Sequence, residues 1–160
     1  MTWYPIFLDL RGRKVLVAGA GKVALRKTKS LLEAGAVVTV IAPETDPAFA
    51  ALDVRYLARK ARPADVKGKS LVFAATNHRE TNQRLAQAAT KLGIPANIAD
   101  APEECTFLVP ARYRAQDVHI AVSTGGKDPR IAVKVRDKIR QALQKKGSPT
   151  PERRALHRTA

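Results

Sequence analysis

The run VLVAGAGKVALRK, residues 15–27, restricts the possible folds more than any other part of the chain. Four apolar residues, Val15 to Ala18, pass into Gly19-x-Gly21-x-x-Ala24 and then into a segment with helical spacing. A β-branched run that leads through glycines into a helix fits a strand–turn–helix unit, in which small residues allow a tight turn and close helix–strand packing. Similar apolar runs recur at Val37–Ala42, Ser70–Ala75 and Pro95–Ala99, beside the first at Lys14–Ala18 and a weaker one at Val54–Leu57. Between them, Lys22–Ala34 and Arg79–Leu92 have helical patterns that Gly35 and Gly93 terminate. Asn77 followed by Glu80 predicts a capping box for the second helix, with Leu85, Ala88, Ala89 and Leu92 on one face. Strands that alternate with helices predict a parallel sheet with right-handed crossovers, a doubly wound α/β domain over residues 1–110.

The pattern changes after Pro110. Arg112–Arg114 and Val118–Ser123 predict two antiparallel strands, and STGGKDP then leads into a helix from Pro129 to about Lys145. Asp128 suits the N-cap and Pro129 the first helical position. Ile131, Val135, Ile139, Ala142 and Leu143 form an apolar stripe on that helix, while Arg130, Lys134, Lys138 and Lys145 line another side. Residues 111–146 are therefore expected to form a separate small region, and residues 147–160 a basic tail.

A glycine turn of this kind aims a helix N-terminus at a phosphate group and lets the backbone approach a pyrophosphate. Gly19, Gly21 and Ala24 hold the three small positions, which favours a dinucleotide site over glycines placed only for packing. The acid that usually holds the ribose is missing from the end of the second strand, where Ile41-Ala42-Pro43 stands, and Glu44 comes slightly late. No arginine follows Pro43 closely to clamp a 2′-phosphate, so NAD is favoured over NADP. Thr76 and Asn77 end the fourth strand on the same edge, either facing a nicotinamide or capping the next helix. Asp100 follows the fifth strand on that edge; from the residues alone it is a loop aspartate beside Pro102, and a carboxylate there is also placed to take a proton. Ser123-Thr124-Gly125-Gly126, ahead of the last helix, is either an anion nest or a simple glycine turn.

The charge demands an anionic partner. Lys and Arg number 29 against 14 Asp and Glu, a net charge of +15. Nucleic acid is the common explanation, yet aromatic residues make up only 5% and no stacking motif is present. The apolar runs are too short to span a membrane, and MTWYPIFLDLRGRK lacks the basic start and small-residue cleavage site of a signal peptide. The single cysteine, Cys105, fits a reducing cytoplasm. His78, His119 and His157 have no metal-ligand spacing, so no metal site is expected.

Beyond these separate signals, the blocks YPIFLDLRGRKVLVAGAGKVALRK, LLEAGAVVTVIAPE, LVFAATN, NIADAPEECTFLVPA and IAVSTGGKDP resemble, in that order, the sirohaem synthase dehydrogenase/chelatase family. The resemblance covers about residues 4–143. Members of that family are precorrin-2 dehydrogenases, and many are also sirohydrochlorin ferrochelatases. The Ala-Pro in place of a second-strand acid is itself typical of them. The resemblance implies hydride transfer from precorrin-2 to NAD, giving sirohydrochlorin, with Fe2+ insertion in many members. It implies a Rossmann domain followed by a dimerisation region, and a homodimer. It also implies cofactor contacts at Lys22, Val23, Pro43 and Glu44, a catalytic Asp100, and a Thr124 that matches a serine phosphorylated in some bifunctional members. Longer members continue into a helical domain over the tetrapyrrole pocket, so for a chain of this length dehydrogenation is the firmer expectation. The basic residues then have an anionic tetrapyrrole as partner, since thirteen of them against four acidic ones lie between Ala111 and Ala160. The rival expectations are a non-enzymatic NAD-sensing regulatory module on the same fold, and a nucleic-acid binder suggested by charge alone.

Overall fold

The computed structural model describes residues 3–145, and the basic tail expected at 147–160 lies outside the described residues. The chain divides into two compact units between Leu108 and Val109.

The first unit is built on a five-stranded sheet whose paired strands are all parallel. Its strands are β1 (Lys14–Ala18), β2 (Val37–Ala42), β3 (Arg55–Ala58), β4 (Leu71–Ala74) and β5 (Ala96–Ile98), in the order β3-β2-β1-β4-β5. Helix α1 (Lys22–Glu33) connects β1 to β2, and α2 (Arg79–Lys91) connects β4 to β5. Because successive side chains on a strand point to opposite faces, β1 serves two cores. Val15 and Val17 join Ala24 and Leu31 of α1, while Leu16 and Ala18 join Leu85 and Ala89 of α2. The order reverses at β1, which leaves a crevice beside its carboxyl end, the place where sheets of this kind bind ligands. The strands and helices expected from the sequence are present, with ends that differ by about one residue.

The start and end of α2 depart from expectation. Asn77 and Glu80 form no capping box: His78 is the N-cap and its side chain makes no capping bond. Glu80 instead accepts from Arg84 Nη2 at 2.6 Å, one turn further along. The turn is held from its other side, where Thr76 Oγ1 accepts from His78 N at 3.2 Å. Leu92 occupies the C-cap position and is exposed, since the chain leaves the helical path there. The buried face of α2 is completed by Asn82 and Ala86 alongside Leu85 and Ala89.

In the second unit, β6 (Ala111–Ala115) and β7 (Val118–Val122) pair antiparallel, and α3 (Pro129–Lys145) follows. Asp128 caps α3, accepting from Arg130 N at 2.8 Å. Of the apolar stripe expected on α3, Ile131, Val135 and Leu143 are exposed, and so is Val133 beside them. Ala132 is the buried residue of this helix among those described.

Candidate functional site

The carboxyl edge of the sheet gathers the residues of the glycine turn. Gly19 has φ +100°, and a Cβ placed there would lie 2.3 Å from the Ala75 carbonyl oxygen. Only glycine satisfies that conformation and that approach of two backbone segments. Its N–H donates to Ile41 O at 2.9 Å, so one residue ties together the ends of β1, β2 and β4. Gly21 differs. It is the N-cap of α1 with an ordinary negative φ, and a Cβ added there meets nothing within 4 Å. The fold does not require glycine at this position, and the open space leaves the backbone accessible to a ligand. Ala24 is fully buried against the sheet, while Lys22 and Val23 are exposed in the first turn of α1.

Pro43 and Glu44 are exposed directly beyond β2. The hydroxyl of Tyr56, reaching across from β3, donates to Ala42 O at 2.7 Å and fixes the end of β2. No local pattern announces that contact, because it depends on how β2 and β3 register, which places Val40 opposite Tyr56.

At the ends of β4 and β5 the structure joins Thr76 to Asp100 through Asn82, a residue that no local pattern singles out. Asn82 is completely buried on α2. Its Oδ1 accepts from Thr76 N at 3.2 Å and from Thr76 Oγ1 at 2.7 Å. Its Nδ2 donates to Thr76 O and to Asp100 Oδ1, each at 3.0 Å. Arg79 in the first turn of α2 stands 4.0 Å from the same Asp100 oxygen and makes a close ion pair with Glu104. That hydrogen bond to Glu104 is the main cause that raises the Arg79 guanidinium pKa further. The Asp100 side chain is 37% exposed, and among the described residues no hydrogen bond or ion pair engages its Oδ2.

A second polar cluster joins Lys27 of α1 to Asn97 of β5. Lys27 Nζ donates to Asn97 Oδ1 at 2.7 Å and sits 4.9 Å from the centre of the Phe73 ring. Burial, with repulsion from Arg26, brings the Lys27 amine down to about 8. Cys105 Sγ accepts from Ile98 N at 3.1 Å, and burial pushes its thiol up, so it behaves as a structural group.

The turn before α3 belongs to the second unit. Thr124 Oγ1 donates to Asp128 O at 2.9 Å and accepts from Asp128 N at 3.0 Å, and Ser123 Oγ accepts from Gly125 N at 3.1 Å. Gly125 and Gly126 have φ +67° and +84°. Both hydroxyls thus help to close the turn itself. His119 is exposed on β7, opposite Arg114 in register. Among the described residues no three His, Cys, Asp or Glu side chains form a metal-binding group, and no helix is long and apolar enough to cross a membrane.

The sheet order, the glycine turn at its switch point and the open position at Gly21 define a dinucleotide-binding domain. The chain belongs to the family described as "Putative NAD(P)-binding", whose model matches residues 6–111. It is 39% identical over 144 residues to a siroheme synthase of Nitrosomonas eutropha, covering 87% of this chain and 30% of that protein. With a siroheme synthase of Methylobacillus flagellatus the identity is 42% over 143 residues, covering 87% and 31%. The chain thus spans about three-tenths of the length of the curated relatives it matches. Among solved structures it is similar to SirC, a precorrin-2 dehydrogenase, with TM-score 0.73 and 27% identity over 91% of this chain and 72% of that one. The family resemblance carried by the sequence blocks is therefore met both in relatives and in fold.

Proposed function

We propose that this chain catalyses the NAD-dependent oxidation of precorrin-2 to sirohydrochlorin, with Asp100 as the proton acceptor. The observation that carries this reading is a convergence on one sheet edge: a dinucleotide turn left open at Gly21, and a carboxylate held by Asn82 at the end of β5. The likeness to siroheme synthases and to a precorrin-2 dehydrogenase supplies the substrate class.

Gly19, Gly21, Lys22, Val23 and Ala24 would hold the cofactor's pyrophosphate at the start of α1, Pro43 and Glu44 would flank its ribose, and Thr76 would border the nicotinamide. NAD in place of NADP fits the absence of an arginine just after Pro43. When bound, the cofactor supplies the hydride acceptor. Oxidation of the macrocycle gives up a hydride and a proton, and the chain's task is to take the proton. Asp100 Oδ2 is the acceptor, because the contacts with Asn82 and Arg79 engage Oδ1. Its partial exposure lets the proton pass on to water. If Fe2+ then enters sirohydrochlorin as a second substrate, the displaced pyrrole protons have the same acceptor.

Within the second unit, the turn Ser123, Thr124, Gly125 and Gly126, followed by Lys127 and Arg130, is suited to bind a substrate carboxylate. The exposed stripe Ile131, Val135 and Leu143 belongs to a homodimer interface. A reducing cytoplasm suits the single free thiol of Cys105.

The test is to incubate the protein with precorrin-2 and NAD. NADH should accumulate in step with sirohydrochlorin absorption. NAD binding without turnover would instead identify a sensing module.

A further inference from the structure

The Asn82 amide can adopt only one orientation. The Thr76 N–H can only donate, so the group 3.2 Å from it must be the amide oxygen. The NH2 group then faces Thr76 O and the Asp100 carboxylate, both of which can only accept when Asp100 is ionised. All four contacts are complementary, and the amide is sealed from water.

The position of this amide gives it reach. Thr76 follows Ala75, whose carbonyl lies against Gly19 closely enough to forbid a Cβ there. The dinucleotide turn, the end of β4, Asn82 and Asp100 therefore form one continuous contact path. We infer that Asn82 is a positioning residue for the reaction: it holds the Asp100 carboxylate at a fixed place relative to the cofactor turn. This rests on Asp100 being the base. The donor is buried and held by three contacts to Thr76, so the carboxylate oxygen it engages is held with it.

The charged groups linked to Asp100 are Arg79, in the first turn of α2, and through it Glu104 in the turn after β5. Arg79 is shared with Glu104, to which it is bonded more closely than to Asp100. The donor at hydrogen-bonding distance from Asp100 is Asn82.

The experiment measures the pH dependence of kcat for NADH formation from precorrin-2, with NAD affinity and thermal melting followed in parallel. Asn82→Asp preserves shape and the acceptor facing Thr76 N, but sets a second carboxylate where the donor was. Two carboxylates this close share a proton, so the acid limb of the profile should move up by about one pH unit or more. Asn82→Ser removes the donor without adding charge and should lower kcat while NAD affinity and melting stay close to wild type; it keeps the test available if the buried charge prevents folding. An unmoved limb in Asn82→Asp, or an unchanged kcat or a loss confined to NAD affinity in Asn82→Ser, would overturn the inference. Asp100→Asn, measured alongside, separates the two levels. Wild-type turnover in Asp100→Asn removes the base itself. An inactive Asp100→Asn with unshifted Asn82 variants leaves the base in place and removes only the role of Asn82.

Discussion

Gly19 and Gly21 occupy one turn and carry different duties, which substitution should separate. At Gly19 an added Cβ would press on the Ala75 carbonyl in a conformation that side chains rarely adopt, so Gly19→Ala should lose roughly 2 kcal/mol or more of stability. At Gly21 an added Cβ meets nothing within 4 Å, so Gly21→Val should melt within a few degrees of wild type while NAD affinity falls at least about tenfold. Thermal melts and NAD titration of the two variants check this; equal melting losses, or NAD affinity unchanged in Gly21→Val, would contradict it. The spacing of these glycines was legible in the sequence because the turn is local. Asn82, Tyr56 and Lys27 were not, because their partners lie across the fold: Asn82 meets Asp100 eighteen residues away and Lys27 meets Asn97 seventy away. A residue whose significance comes from a through-space partner has no periodicity to betray it.

Among the elements, strands and helices followed from apolar periodicity, since each buries a face that composition marks. The misjudged details are at the ends of α2. There two cap candidates, Asn77 and Thr76, compete for the same turn, and Thr76 prevails because Asn82 anchors it from inside the helix. The half-buried Lys27 amine, bonded from α1 to Asn97 of β5, offers a pH test. Lys27 titrates near 8 in the fold and at the ordinary 10.5 when unfolded. Between those values the unfolded chain holds a proton that the native one has released, so raising the pH stabilises the fold. Lys27→Met removes that dependence. Denaturant midpoints of the two proteins should therefore diverge in favour of wild type as the pH rises from about 8 toward 10.5, whatever their offset at neutral pH. Parallel curves would show that Lys27 is not buried as described.

For the whole molecule, the second unit leaves Ile131, Val133, Val135 and Leu143 of α3 exposed, a surface that a homodimer would cover. Light scattering at micromolar concentration should find a dimer, and Val135→Asp should shift it toward monomer with its melting of the first unit unchanged. A monomeric wild type would remove that assignment. The excess of basic residues suits the anionic tetrapyrrole proposed as substrate, a partner that charge by itself would not have separated from nucleic acid. The most direct measurement is turnover of precorrin-2 by wild type and Asp100→Asn, with NAD affinity measured on both. The predicted result is a fall in NADH formation of about a hundredfold or more with cofactor binding intact, the usual effect of removing a positioned base. Turnover within a few-fold of wild type would contradict the account and leave Asp100 as a structural residue at the end of β5.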